Sequence, residues 1–343
     1  MKYIPVFLFL FFFSFQAYSQ KIPAENLKQL KSTEFAIKGY SDNIINSEEW
    51  FDRFKADSFF TRGLVQALKV PYSFYYNFDS LKISKLYAPD SSFKIFTWQV
   101  MKDFSYYRQR GAIQMKTADG SLKLFPLFDC SDFTTRPTDS LRDAKHWIGA
   151  IYYKIILKSF NNKKYYTLLG ADGNNERTDK KWIEILTFDA NNNPQFGSRV
   201  FQYPADDAKP KQPVFRFCLE YKKDGGARLN YDAKYDAIIF DHLTSQTNSP
   251  DDKTTLIPYG DYEGFKWVNG QWVYINNPFS NVIFDTKQTD LPSTILDSKG
   301  NRNEKKLEEI SNKNQQKKID SIPPPNKIND KQKPYKPGER VDY

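Results

Sequence analysis

Apolar positions along the chain fall into four regimes. Ile4 to Phe15 is an almost unbroken apolar run, interrupted by Pro5 and Ser14, with Met1-Lys2-Tyr3 before it and Gln16-Ala17-Tyr18-Ser19-Gln20 after it. A basic start, about a dozen apolar residues and a small-x-small site describe a secretory signal peptide. Cleavage is expected after Ser19, leaving Gln20 at the mature end. A spanning helix needs ~20 apolar residues, so an uncleaved anchor is the weaker reading. No cysteine stands near the site to take a lipid. The mature product is therefore expected to be soluble, with no transmembrane anchor, and periplasmic or secreted.

Residues 20–71 form the second regime and read as helical. Trp50, Phe51, Phe54, Phe59, Leu64, Val65 and Leu68 recur at three- and four-residue spacing, with Asp52, Arg53, Lys55, Asp57 and Arg62 on much of the remaining surface. Asn46, with Glu49 three residues on, has the form of a capping box, and Pro71 stops the helix. The apolar stripe is expected to pack on the domain that follows.

From 72 to 286 the pattern changes to short strands rich in Tyr, Phe, Ile and Val, separated by Gly, Asn, Asp and Pro. The predicted strands are 73–78, 92–101, 110–116, 122–128, 149–157, 164–169, 183–188, 199–203, 214–221, 227–231 and 237–241. A helical turn is expected from Thr178 or Asp179, and a short helix over 140–145. The polar run from Ser131 to Asp139 marks either a boundary near 130–145 or a long loop. The clearest local element is Phe265-Lys266-Trp267-Val268-Asn269-Gly270-Gln271-Trp272-Val273-Tyr274. Asn-Gly suits a type I′ turn, in which both central residues have positive φ. A two-residue loop pairs Val268 with Gln271 and Trp267 with Trp272, and puts both indoles, Phe265 and Tyr274 on one face. That face is either core or a binding platform, and core is preferred.

The fourth regime, 287–343, has 13 basic and 9 acidic residues and only Tyr335 and Tyr343 as aromatics. So few apolar groups cannot offset roughly 1–2 kcal/mol of backbone entropy per ordered residue, and a disordered basic Pro/Lys/Asn-rich tail is predicted. The span 303–318 has weak helical character, and Ile322-Pro323-Pro324-Pro325 is polyproline-like. Before the tail, strand spacing of about ten residues with few helices between argues against a wound parallel sheet. The expected fold class is α+β, predominantly antiparallel β, with N-terminal helices and that tail.

Composition narrows the chemistry. With 2 Cys and 2 His the chain is neither a disulfide-dense mini-domain nor a zinc module. Its net charge of +9 raises nucleic acid as a partner, but export and the lack of any recognition motif argue against it. Export permits a Cys130–Cys218 disulfide; two buried thiols are the alternative. No nucleophile elbow, His-Glu-x-x-His or phosphate loop is present. Asp241 with His242 is the one adjacent acid–histidine pair, a weak catalytic candidate against a structural histidine. Asp189, Asn191 and Asn193 alternate oxygen ligands like the start of a calcium loop, but Pro194 stands where the turn glycine belongs and Val200 at the twelfth position is not acidic. Asp172-Gly173-Asn174-Asn175-Glu176 is similarly incomplete, and ordinary turns explain both. Trp267 and Trp272 are the candidate ligand-binding rings, against strand aromatics that fill a core. No cofactor is expected.

Tyr165 to Asn175, the stretch Lys180 to Asp189, Asn193 to Gly197, Trp147 to Ile155, Tyr235 to Leu243 and the Gly264–Val273 hairpin together resemble a family of exported proteins of bacteroidete-type bacteria. No activity is assigned to that family. The resemblance covers most of 40–285 and implies an exported, β-rich unit; it carries no catalytic residues. The chain thus reads as a non-catalytic binding or scaffolding module whose partner is an envelope component or glycan. The alternative is a hydrolase acting on glycan or another envelope polymer.

Overall fold

The computed structural model describes residues 22–204 and 215–279, together with positions 308, 309 and 312. The chain divides into a first unit, Met1–Pro278, and a second, Phe279–Tyr343. In the second, Glu308, Glu309 and Asn312 are helical and exposed. The expected signal peptide at 1–19 and, apart from those three positions, the expected disordered tail at 287–343 fall outside the described residues.

The first unit opens with two helices, α1 (Ala24–Asn46) and α2 (Trp50–Leu68). α1 buries Leu30, Glu34, Ile37, Ser41 and Ile44, one stripe at helical spacing. In α2 the buried stripe differs from the expected one. Trp50, Phe51 and Phe59 are exposed, whereas Arg53 and Asp57 face inward beside Phe60, Leu64 and Leu68. Each inward charge has partners. Arg53 donates to the Met101 and Lys102 carbonyls at 2.6 and 2.9 Å, and Asp57 accepts from Trp98 Nε1 and from Arg110. Asn46 closes α1 instead of capping α2, whose first turn has no side-chain cap.

Strands follow: β1 (Ser84–Tyr87), β2 (Phe93–Asp103), β3 (Tyr106–Met115), β4 (Lys123–Phe128), β5 (Arg142–Asp143), β6 (Ile151–Phe160), β7 (Lys163–Asp172), β8 (Thr178–Phe188), β9 (Pro194–Phe196), β10 (Phe201–Gln202), β11 (Phe217–Lys222), β12 (Leu229–Asp232), β13 (Ala237–Ser245), β14 (Leu256–Val268) and β15 (Gln271–Asn276). They build three sheets, β1-β2-β3-β4, then β5-β9-β8-β7-β6 with β11 also on β8, then β10-β15-β14-β13-β12. All pairings of these strands are antiparallel except β10 with β15.

The core clusters define a stack of four layers. Helix residues meet Phe96, Trp98 and Val100 of β2. Phe93 and Ile95, on the opposite face of β2, meet Tyr152, Leu168, Trp182 and Leu186 of the second sheet. Leu169, Ile183 and Ile185 meet Ile238, Phe240, Phe265 and Trp272 of the third. The second sheet is thus covered on both faces, which is why Trp182-Ile183-Glu184-Ile185-Leu186 reads as a nearly continuous apolar run.

Three local expectations are corrected. Residues 73–75 form a 3-10 turn, not a strand, because Tyr72 takes φ 64° after Pro71 and Ser73 Oγ donates back to the Leu68 carbonyl. Thr178 and Asp179 begin β8 and pair with Lys222 and Tyr221. In place of a helix at 140–145 there are β5 and a 3-10 turn at Ala144–His146, capped by Asp143. The β14–β15 hairpin has the derived register: Val268 opposite Gln271, Trp267 opposite Trp272, Phe265 opposite Tyr274. Asn269 and Gly270 have φ of 48° and 84°, and a Cβ on Gly270 would meet the Phe160 ring at 2.4 Å.

Candidate functional site

A cleft of about 400 Å³ lies between strands of the first two sheets and the 131–138 loop. β3 contributes Tyr107 and Gln109, β7 ends in it at Asp172, and Asn174 follows in the β7–β8 turn. β8 contributes Lys180 and Trp182, β11 contributes Cys218 and Glu220, and the loop supplies Ser131 to Thr138 apart from Phe133.

Asp129 builds the base. Its Oδ1 accepts from Ser131 N, Ser131 Oγ and Gly149 N, and its Oδ2 from Gln109 N at 3.1 Å. This is the local chemistry of an Asx turn, with the carboxylate holding the start of the loop against two strands. Gly149 permits the approach, since a Cβ there would fall 2.2 Å from Gln109 Cβ. The far end of the loop is held by Arg216, whose Nη1 donates to the Pro137 carbonyl and, at 3.1 Å, to that of Ser140. Arg216 is fully buried and pairs through Nε with Glu184 Oε2 at 2.7 Å. Burial pushes the Glu184 carboxyl up, opposed by the Arg216 guanidinium and by the Ile185 and Gly197 backbone N–H groups.

The polar groups inside are incompletely matched. Asp172 is buried, and its Oδ1 accepts from Gln109 Nε2 at 2.7 Å and Asn174 N at 2.9 Å. Burial, with Asp129 nearby, raises its carboxyl to about 6 despite those bonds and Lys180. Burial and Asp129 also raise Asp132, against Arg108 and Lys180. The buried Gln109 Oε1 and Trp182 Nε1 have no hydrogen-bond partner. Lys180 is held by Asn174 Oδ1 at 2.9 Å and lies 3.9 Å from Glu220. Such an arrangement can accept hydrogen bonds, donate one from an indole, and exchange a proton near neutral pH.

Cys130 and Cys218 are free thiols, so the disulfide considered from the sequence is not formed here. Cys130 donates to the Lys145 carbonyl, and Cys218 stands opposite Trp182 on β11. Burial pushes the Cys218 thiol up, which makes it a poor nucleophile.

The residues singled out from the sequence lie elsewhere. Asp241 accepts from Arg228 N at 2.7 Å, while His242, at a β-bulge, places Nδ1 2.9 Å from Glu263 Oε1. Neighbours on a strand point to opposite faces, so Asp241 does not orient His242. Glu263 also accepts from Tyr274 at 2.7 Å. Among the described residues no serine, threonine or cysteine hydrogen-bonds to His242. His146 pairs with Asp143 at 2.8 Å on an exposed surface. Asp189 accepts from Asn191 N, Asn193 N and Asn193 Nδ2. Its oxygens are occupied by N–H donors of its own turn, which is not a cation cradle. No group of three or more His, Cys, Asp or Glu able to hold a metal occurs among the described residues. Trp272 is fully buried with Nε1 on Thr167 Oγ1 at 3.0 Å, and the half-buried Trp267 packs edge-on against it. Those rings fill the core between the second and third sheets and do not form a platform.

Sequence reasoning missed the cleft. Its one visible trace was the polar run from Ser131 together with Asp172-Gly173-Asn174, two turn-rich segments whose proximity no spacing reveals. Compared with family models, curated proteins and solved structures, the chain finds no match.

Proposed function

We propose that the protein is a non-catalytic binding module of the bacterial envelope and that the cleft under the 131–138 loop takes its ligand. The carrying observation is the cleft's set of buried, incompletely matched polar groups, Asp172, Gln109 Oε1 and Trp182 Nε1. Buried polar atoms are ordinarily paired, and an unpaired set lining a cavity supports a site completed by something from outside. The volume suits one sugar-sized ligand. The apolar N-terminal run and the family resemblance support the compartment. The test is binding to soluble peptidoglycan fragments and capsular saccharides, followed by calorimetry. At least one should bind, with affinity lost in Asp172→Ala; no binding across the panel contradicts the proposal.

A glycan hydrolase is the second reading, and one observation favours it: Asp132 and Asp172 line one cleft and both carboxyls are raised. One would protonate the leaving oxygen while the other activates water. Release of reducing ends from the same saccharides, abolished in both Asp→Asn variants, would select this reading over binding alone.

A further inference from the structure

We infer that the cleft takes a hydroxylated primary amine, an amino sugar with a free ammonium group. This rests on the cleft being a ligand site and adds the ligand's chemical class.

The cations that line the cleft are already matched: Lys180 by Asn174 Oδ1 and Glu220, and the exposed Arg136 by Asp139 at 3.7 Å. Arg108 acts on Asp132 without pairing with it. Asp132 takes no hydrogen bond or ion pair among the described residues, and Asp172 receives its bonds on Oδ1. The acceptors without a protein partner are the buried Gln109 Oε1, Asp172 Oδ2 and the two exposed Asp132 oxygens, against one buried donor, Trp182 Nε1. Gln109 cannot resolve this within the fold, since its amide nitrogen is committed to Asp172 and Gln99. Gln109 and Trp182, 2% and 3% exposed, line the buried part of the cleft, whereas Asp132 is exposed to solvent. A ligand that completes the set brings several donors, at least one cationic, and one acceptor for the indole. An ammonium supplies three donors and a positive charge; a neighbouring hydroxyl supplies the acceptor. An anionic ligand would face two unmatched carboxylates.

The test is calorimetric titration of the full mature chain with three probes at neutral pH: glucosamine, N-acetylglucosamine and Nα-acetyl-lysine amide. Glucosamine should bind, and N-acetylglucosamine, the same ring with the ammonium removed, should bind about tenfold or more weakly. Asp132→Asn, in a loop residue with no structural partner, should weaken glucosamine about tenfold while leaving the circular dichroism spectrum and melting temperature unchanged. Equal binding of the two sugars overturns the amine inference and leaves the cleft standing as a ligand site. Binding of the lysine amide without glucosamine overturns the sugar. Binding by none of the three overturns the inference, and the wider saccharide panel then decides the cleft separately.

Discussion

One face of β8 handles buried charge in two ways within a few residues. At Glu184 the carboxylate meets Arg216, whose remaining nitrogens reach the carbonyls of Pro137, Ser140 and Phe196. At Lys180 and Trp182, four and two residues earlier, the buried Gln109 Oε1 and Trp182 Nε1 stay unmatched, and the exposed Asp132 has no protein partner. Both stretches lie on the same strand of the same sheet, but Glu184 and Arg216 are fully enclosed, whereas Lys180 is half-buried and Asp132 is exposed. The difference lies in what each is for. The first fastens a loop, and a fastening must be complete inside the protein because an unpaired buried charge costs several kcal/mol. The second borders a cavity, where incompleteness is tolerated because a ligand can supply the missing partners. The two are coupled, since the loop fastened by Arg216 is the wall of the cleft.

The largest expected effect comes from breaking the fastening. Arg216→Met leaves Glu184 buried and unpaired and should cost about 3–5 kcal/mol in chemical denaturation. Adding Glu184→Met should recover part of that loss, because an apolar pair of similar volume removes the unpaired charge. Proteolysis within 131–140 should stay accelerated in the double variant, since the three carbonyls still lack their donor. Full recovery of both stability and protection would mean that Arg216 serves Glu184 alone.

Asp172 sharpens the comparison through pH. Its folded carboxyl stands at about 6, above the ordinary 3.8. The folded state therefore holds the proton more tightly than the unfolded chain does. The stability this contributes is complete below about pH 4 and is lost as pH rises through 6. Above that, the fold carries a buried, poorly matched carboxylate. Asp172→Asn should then raise stability at pH 7.5 by roughly 1–3 kcal/mol relative to its effect at pH 4. A difference between variant and native chain that does not change with pH would contradict the burial argument.

Asp132 marks the small end. With no partner to lose, Asp132→Asn should change stability by less than about 0.5 kcal/mol at neutral pH. A loss of more than about 1 kcal/mol would assign it a structural bond and remove it from the cleft's unmatched set.

What the sequence revealed divides along the same line. The β14–β15 hairpin was readable to the residue because Asn269-Gly270 dictates its own turn and alternation dictates the faces. The helices and most strands were readable as periods, although the period in α2 chose the wrong face. Arg53 and Asp57 looked like solvated charges, and only their partners on β2 and β3, Met101, Trp98 and Arg110, show why they turn inward. The start of β8 looked helical because Thr178 and Asp179 pair only with Lys222 and Tyr221, about forty residues away. The cleft was not readable, since Gln109, Asp132, Asp172, Trp182 and Cys218 converge only through the sheet order. The adjacent pair Asp241–His242 drew notice for being adjacent, yet adjacency on a strand separates side chains.

The indoles offer the most direct test. Of the six tryptophans, Trp98, Trp147 and Trp272 donate Nε1–H to Asp57, Tyr152 and Thr167, while Trp182 Nε1 is buried without a partner. In a nitrogen-15 spectrum of the uniformly labelled protein, titration with a saccharide that binds should shift the Trp182 indole N–H strongly downfield as it gains an acceptor. The resonances of Trp98, Trp147 and Trp272 should hold still. A saturating ligand that leaves Trp182 unmoved while shifting the others would contradict the account, because the unmatched atoms of the cleft would not be the ones the ligand completes.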